Sequence, residues 1–217
     1  MNPTKLSLAT RVAAGAVALS VLAGGAVVAQ AAFTKNPAEV LSGTYVLDSS
    51  HGKVTYEIDH LGFSTYVGQF TGVEARLELN SANPALSTLS ATIPLANASL
   101  DDSGLNRHLQ SADFFDTANH PVATFQSTRV VLDEDDRDEA EVYGDLTLRG
   151  ITRPVKIEVE FNQAGIVRQQ YRVGFDGELK IKRSDFGITY GLPALGDEVK
   201  LHIEGEFITA PKAAPSY

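Results

Sequence analysis

The sequence predicts an all-β protein in which about eight long antiparallel strands meander into a closed barrel, with a short helix and lid-like loop inserted between strands. Three observations lead there. Apolar and polar residues alternate with period two over most of the chain. Turn-forming residues punctuate that alternation. The strands so delimited are long for a sandwich, and long meandering strands close most naturally into a barrel, which abolishes their edges.

The chain opens with a segment set apart from the fold. Lys5 and Arg11 form a short basic start, and Val12 to Val28 then run for 17 residues without a charge. Ala29-Gln30-Ala31 supplies the small-x-small pattern that a signal peptidase pocket admits, so residues 1–31 read as a cleaved export signal. An uncleaved anchor is the rival, but the run is short for a span and rich in Ala and Gly. The expected location is therefore periplasmic or secreted. Residues 32–43 read as a polar linker broken by Pro37 and Gly43, residues 44–210 as the barrel domain and 211–217 as a tail. The 186 residues from Ala32 suffice for one domain with a core.

Strands are expected near 44–48, 52–60, 65–79, 86–98, 121–133, 139–149, 153–162, 170–183 and 197–209. Val54, Tyr56 and Ile58 alternate with Thr55, Glu57 and Asp59. Val155, Ile157, Val159 and Phe161 alternate with Lys156, Glu158 and Glu160. Val199, Leu201 and Ile203 alternate with Lys200, His202 and Glu204. Each run describes a strand with one apolar and one wet face. Gly68, Gly72, Gly174 and Gly177 fall inside strands, where glycine marks bulges and bends.

One segment departs from period two. Asp101 and Asp102 can cap a short helix to about Gln110, on which Leu105, His108, Leu109 and Ala112 share a face. A loop with Phe114 and Phe115 follows. Helix and loop form either a lid or a plug of core side chains, and alternation alone does not say whether the interior is hollow.

Composition narrows the function. Setting Lys5 and Arg11 aside leaves 16 basic against 27 acidic side chains, a charge of −11 that disfavours nucleic acid as a partner. Cysteine is absent, which excludes disulfides, thiolate metal sites and thiol nucleophiles. His51, His60, His108, His120 and His202 are scattered without metal-ligand spacing, so no metal site is assigned. Ser103, Ser111 and Ser184 lie in no nucleophile elbow, and no catalytic residue is assigned.

Several motifs occur in one order. Tyr45-Val46-Leu47-Asp48 with His51 precedes the run from Val54 to Gly62, and Gly68-Gln69-Phe70 follows. Arg107 to Asp116 (RHLQSADFFD), Pro121 to Ser127, Gly144 to Val155 and Arg183-Ser184-Asp185-Phe186-Gly187-Ile188 complete the series. Together they resemble the YceI-like family over roughly residues 44–208; Tyr45 stands where the family often has Trp, a departure that bears on how one barrel end is plugged. The resemblance implies an extended lipocalin-like barrel with a long apolar tunnel for a polyisoprenoid, an isoprenoid quinone or another long-chain amphiphile. It also implies a homodimer, and a carrier of this kind allows transient contact with a membrane. No cofactor is expected beyond such a bound lipid.

Within that resemblance, Phe63, Phe70, Leu105, Leu109, Phe114, Phe115, Phe125, Phe186 and Ile188 are candidates for tunnel wall and lid. His60, His108, Asp113, Arg183 and Asp185 are candidates for a polar pocket end. For the first set the alternative is core packing. For the second it is an internal network, in which Arg183 and Asp185, two apart on a strand, would form a pair. The expected function is a non-enzymatic lipid carrier. An isomerase or cyclase using His60, Arg183 and Asp185 as acid-base groups, and a solid barrel acting through its surface, are the other classes.

Export is directly testable. The mass of the exported protein should place its first residue at or within one residue of Ala32, and a full-length membrane-retained product would contradict the signal reading.

Overall fold

The alternating pattern becomes eleven strands in residues 33–211, the part of the chain that the computed structural model describes. They are β1 (Gly43–Leu47), β2 (Lys53–His60), β3 (Ser64–Phe70), β4 (Glu74–Leu79), β5 (Thr88–Pro94), β6 (Ala98–Ser99), β7 (Val122–Leu132), β8 (Glu139–Leu148), β9 (Ile151–Val167), β10 (Gln170–Lys182) and β11 (Leu195–Thr209). One α-helix, α1 (Ser103–Leu109), stands between β6 and β7. The proposed export signal and residues 212–217 lie outside the described part.

Six of the strands are halves of longer ones. β1 and β2 lie end to end along β11, with Tyr45 opposite Thr209 and Tyr56 opposite Leu201. β4 and β3 pair in turn with β1 and β2. β5 and β6 pair with β4 and β3. From β7 to β11 each strand pairs with the next. The circuit β1-β4-β5-β7-β8-β9-β10-β11 closes back on β1, giving an eight-membered antiparallel barrel. The expected strands 65–79 and 86–98 are each interrupted, the first at Gly72 (φ +68°) and the second by a 3-10 turn over Leu95–Asn97.

The bend between β1 and β2 is held by side chains. Asp48 accepts from the Ser50 hydroxyl at 2.6 Å, from the Ser50 amide at 3.2 Å and from the Arg172 guanidinium at 2.8 Å, and it meets the His51 ring at 3.0 Å. Arg172, on β10, also donates to Glu206 on β11. One guanidinium thus joins β10, β11 and the β1–β2 bend. These hydrogen bonds, from Ser50 first and then Arg172 and His51, hold the Asp48 carboxyl well below the usual carboxylate range.

Residues 33–42, within the segment read as a polar linker, pack on the barrel. Thr34 bridges to Ala164 on β9, Pro37–Glu39 form a 3-10 turn, and Val40 is buried against Tyr45, Leu77, Phe161, Val173 and Phe207. The apolar character of Val40, lost in a polar average, draws the segment over the barrel end. Tyr45 is buried beside it and donates to the Leu41 carbonyl at 2.5 Å, and burial raises its phenol to about 12. This tyrosine therefore anchors the chain that plugs this end.

Asp48→Asn keeps the shape of the bend but removes its charge. Because the folded carboxyl ionises more readily than the unfolded one, its ionised form favours folding. That contribution is complete above about pH 5 and declines as pH falls below about 4. The variant should melt roughly 3–10 °C lower at pH 7, with the gap to the wild type narrowing toward pH 3. Thermal melts at both pH values check this, and an equal gap at each would contradict it.

Candidate functional site

Inward-facing side chains of the eight-membered circuit enclose a cavity of about 650 Å³, within the range of small-molecule sites (about 300–1,000 Å³). Its wall is almost wholly aliphatic and aromatic. Two large inward rings fold flat instead of crossing the axis. Tyr56 lies over its cross-strand partner Gly68, where a Cβ would stand 2.3 Å from the ring. Phe125 lies over Gly144, where a Cβ would stand 2.4 Å from Cζ. The glycines therefore admit rings into the wall itself, and space remains along the axis. The Tyr56 hydroxyl is buried without a hydrogen-bond partner among the described residues, and burial pushes its phenol up to about 12.

The α1 end of the cavity is built from the inserted segment. Asp102 caps the helix by accepting from the Leu105 amide at 2.7 Å. The helical spacing then turns Leu105, His108 and Leu109 toward the cavity, and Phe114 and Phe115 join them from the loop. Phe115 packs 5.8 Å from Phe70, centroid to centroid. Leu109, Phe114 and Phe115 also pack on the buried cluster around Tyr56, Leu95 and Phe186. Wall and core packing are thus one and the same for these side chains. His108 packs edge-on against Phe114 and Tyr190, while its Nε2 meets Asp113 at 2.8 Å. Across the mouth His60 stacks near Tyr66 at 5.1 Å.

Of the sequence candidates, Phe70, Leu105, Leu109, Phe114, Phe115, Phe125, Ile188, His60, His108 and Arg183 border the cavity. Four others lie outside it. Phe63 is 89% exposed at the β2–β3 turn, because the strand ends at His60 and the chain turns away from the axis. Phe186 is 1% exposed, packed in the wall with Ile188. Asp113 is solvent-facing and braces His108 from outside. Asp185 is exposed on a 3-10 turn, Arg183–Phe186, and makes no pair with Arg183, since the strand that would align them ends at Lys182.

Arg183 is 3% exposed and donates to four carbonyls, those of Gly196 (2.7 Å), Ile188 (3.0 Å), Tyr190 (2.8 Å) and Leu195 (2.8 Å). Burial pushes its guanidinium below the ordinary value, against the attraction of Asp197. Asp197 accepts from the Ser184 amide and hydroxyl at 2.9 and 2.8 Å. Arg183 therefore shapes the loop at the cavity mouth, with four of its five N–H donors committed to backbone carbonyls. Sequence reasoning missed Tyr66 and Tyr190 at the mouth, although the period-two register of β3 placed Tyr66 on the face of Gly68 and Phe70. It also missed the grouping of Asp48, His51 and Glu206, whose ligand atoms lie within 4.8 Å of one another. Arg172 already supplies the positive charge there.

Fold and cavity together define a hollow lipocalin-like barrel with an apolar interior and polar side chains at its mouth. The chain belongs to the YceI-like family, whose domain model matches residues 45–207. Protein YceI of Escherichia coli O17:K52:H18 is 38% identical over 160 residues, covering 73% of this chain and 82% of that protein. Among solved structures, BcnA of Burkholderia cenocepacia superposes with a TM-score of 0.66 at 27% identity, over 76% of this chain and 99% of that one. A polyisoprenoid binding domain from Saccharophagus degradans, implicated in plant cell wall breakdown, gives a TM-score of 0.58 at 14% identity, over 79% of this chain and all of that one. At that identity the likeness speaks for the fold alone.

Replacing Arg183 by Leu leaves four carbonyls near the mouth without their donor. The variant should lose at least about 3 kcal/mol in urea unfolding, a loss far beyond that of an ordinary surface substitution. A change within about 0.5 kcal/mol would show that the guanidinium does not organise the loop.

Proposed function

We propose that the protein is an exported carrier that holds a polyisoprenoid or another long-chain amphiphile in its barrel, and that it is not an enzyme acting on that chain. The apolar cavity of about 650 Å³ carries this reading. An apolar chain in water costs about 0.8 kcal/mol per CH₂ that burial would relieve, so an enclosed apolar channel gives strong and non-directional retention. Polar selectivity is left to the mouth, where His60, Tyr66, His108 and Tyr190 offer ring nitrogens and hydroxyls. Because Arg183 is committed to carbonyls, the mouth suits a small uncharged or weakly polar head better than a strong anion. A polyisoprenoid binding domain is one protein in which this fold carries that ligand class.

Native mass spectrometry of gently purified protein should find a long-chain lipid at about one per chain, chemically unchanged on release. A turnover product, or a barrel that takes up no long-chain lipid, would overturn the carrier reading. In lipid titrations Leu109→Asp with Phe115→Asp should lower affinity by orders of magnitude, since a carboxylate in the apolar wall costs several kcal/mol and each 1.4 kcal/mol is about tenfold. The far-UV circular dichroism of the lipid-free variant should stay that of the wild type. Loss of the strand spectrum would instead assign both residues to the core.

A further inference from the structure

We propose that the α1 end of the barrel docks on a lipid surface through the tips of two loops, with Leu61, Phe63 and Leu192 entering the interfacial layer. The inference rests on the carrier reading for its purpose, because a long apolar chain exchanges more readily with a membrane than through water. It rests on separate observations for its geometry.

The β2–β3 turn holds Leu61 and Gly62 at φ +57° and +70°. Asn, Asp or Gly suits a left-handed turn position, and leucine does not. Turn formation therefore gives no reason for an apolar residue here, yet Leu61 is 54% exposed and Phe63 beside it 89%. The tip is rigidly set. Asp59 accepts from the Gly62 amide at 3.0 Å, and the Leu61 amide donates to the Ala194 carbonyl at 2.9 Å. That second bond joins the turn to the 187–195 loop, which exposes Leu192 and Tyr190. His60, Tyr66, Tyr190, Ala194 and Leu195 border the cavity, so the apolar tips stand next to its lining.

Charge and area select the occupant. β7 leaves the α1 end at Val122 and reaches the far end at Leu132, where Asp133, Glu134, Asp135, Asp136, Asp138 and Glu139 crowd one hairpin. Leu41, Leu86, Leu132 and Ile166 are exposed at that far end too, but on the end that carries this acidic hairpin, which an anionic bilayer repels. The acids of the α1 end (Asp59, Asp101, Asp102, Asp113 and Asp185) are scattered, with Arg107 and Arg149 among them, rather than gathered in one hairpin. Three protruding side chains bury roughly 500 Å² at most, short of the roughly 800 Å² per partner of a stable protein interface. Protruding Leu and Phe do suit the boundary between headgroups and acyl chains.

The chain has no tryptophan, so a single one reports its own surroundings. Phe63→Trp and, as the contrast, Leu86→Trp are prepared in the full chain and mixed with phosphatidylcholine vesicles containing phosphatidylglycerol, with and without brominated acyl chains. Emission of the Phe63→Trp chain should shift to the blue and be quenched strongly by the brominated lipid, while that of the Leu86→Trp chain stays solvent-like. Adding Leu61→Ser and Leu192→Ser to the Phe63→Trp chain should reduce the quenching severalfold. The contrast between two positions also separates tip insertion from binding through residues 12–28. An unquenched Phe63→Trp chain, or equal quenching of both variants, overturns the proposal. A blue shift without vesicles that grows with protein concentration overturns it as well, by assigning the tips to a second copy of the chain. Uptake of a fluorescent fatty probe in vesicle-free buffer reads the cavity on its own. Failure there counts against the carrier function, whereas the quenching contrast decides docking either way.

Discussion

Everything in this molecule depends on β11 finding a partner along all of its length. An unpaired edge would leave backbone donors and acceptors open to other chains, and a barrel removes that edge only if its first and last strands meet. Here the partner comes in two pieces, β1 and β2, joined by the bend over 48–52. That bend exists because Asp48 satisfies Ser50, His51 and Arg172 together. With β11 covered, each remaining strand needs only its sequence neighbour.

Closure does not by itself create a cavity. Eight strands enclose a width that side chains can fill. The interior stays open because Tyr56 and Phe125 lie across Gly68 and Gly144, and because aliphatic chains of moderate size make up much of the remaining wall. α1 and its loop line one end, while Val40 and Tyr45 pack at the other. The polar groups divide by task. Arg183 and Asp197 organise backbone, and the rings of His60, Tyr66, His108 and Tyr190 are left facing the mouth.

Much of the fold was legible in the sequence because barrel strands bury one face, and burying one face imposes period two. β7, β8, β10 and β11 fall close to the expected bounds, β9 runs on to Val167 past its expected end at 162, and the capped helix falls where Asp102 and the leucine spacing put it. Leu105, Leu109, Phe114 and Phe115 were readable as cavity side chains for the same reason, being apolar amid polar neighbours. The failures share a cause: periodicity assigns a face only while the strand lasts. Phe63 lies three residues past the end of β2, and Asp185 lies three past the end of β10, so neither keeps the assigned direction. The partner of the Arg183–Ser184 turn is Asp197, on the returning strand, and only the closed barrel brings it near. Whether opposite walls touch across the axis is likewise a three-dimensional fact that no single strand records.

The pairing of Tyr45 with Thr209 has a consequence for the order of assembly. Neighbouring strands can pair as soon as both exist, because most of the connections between them are short. The closing pair joins almost the two extremes of the domain, and so large a sequence separation makes its formation entropically late. Until then the apolar lining is a curved open sheet facing solvent, the kind of intermediate that aggregates. A chain shortened before β11 would keep most of its strands and nearly all of its lining residues, yet enclose nothing.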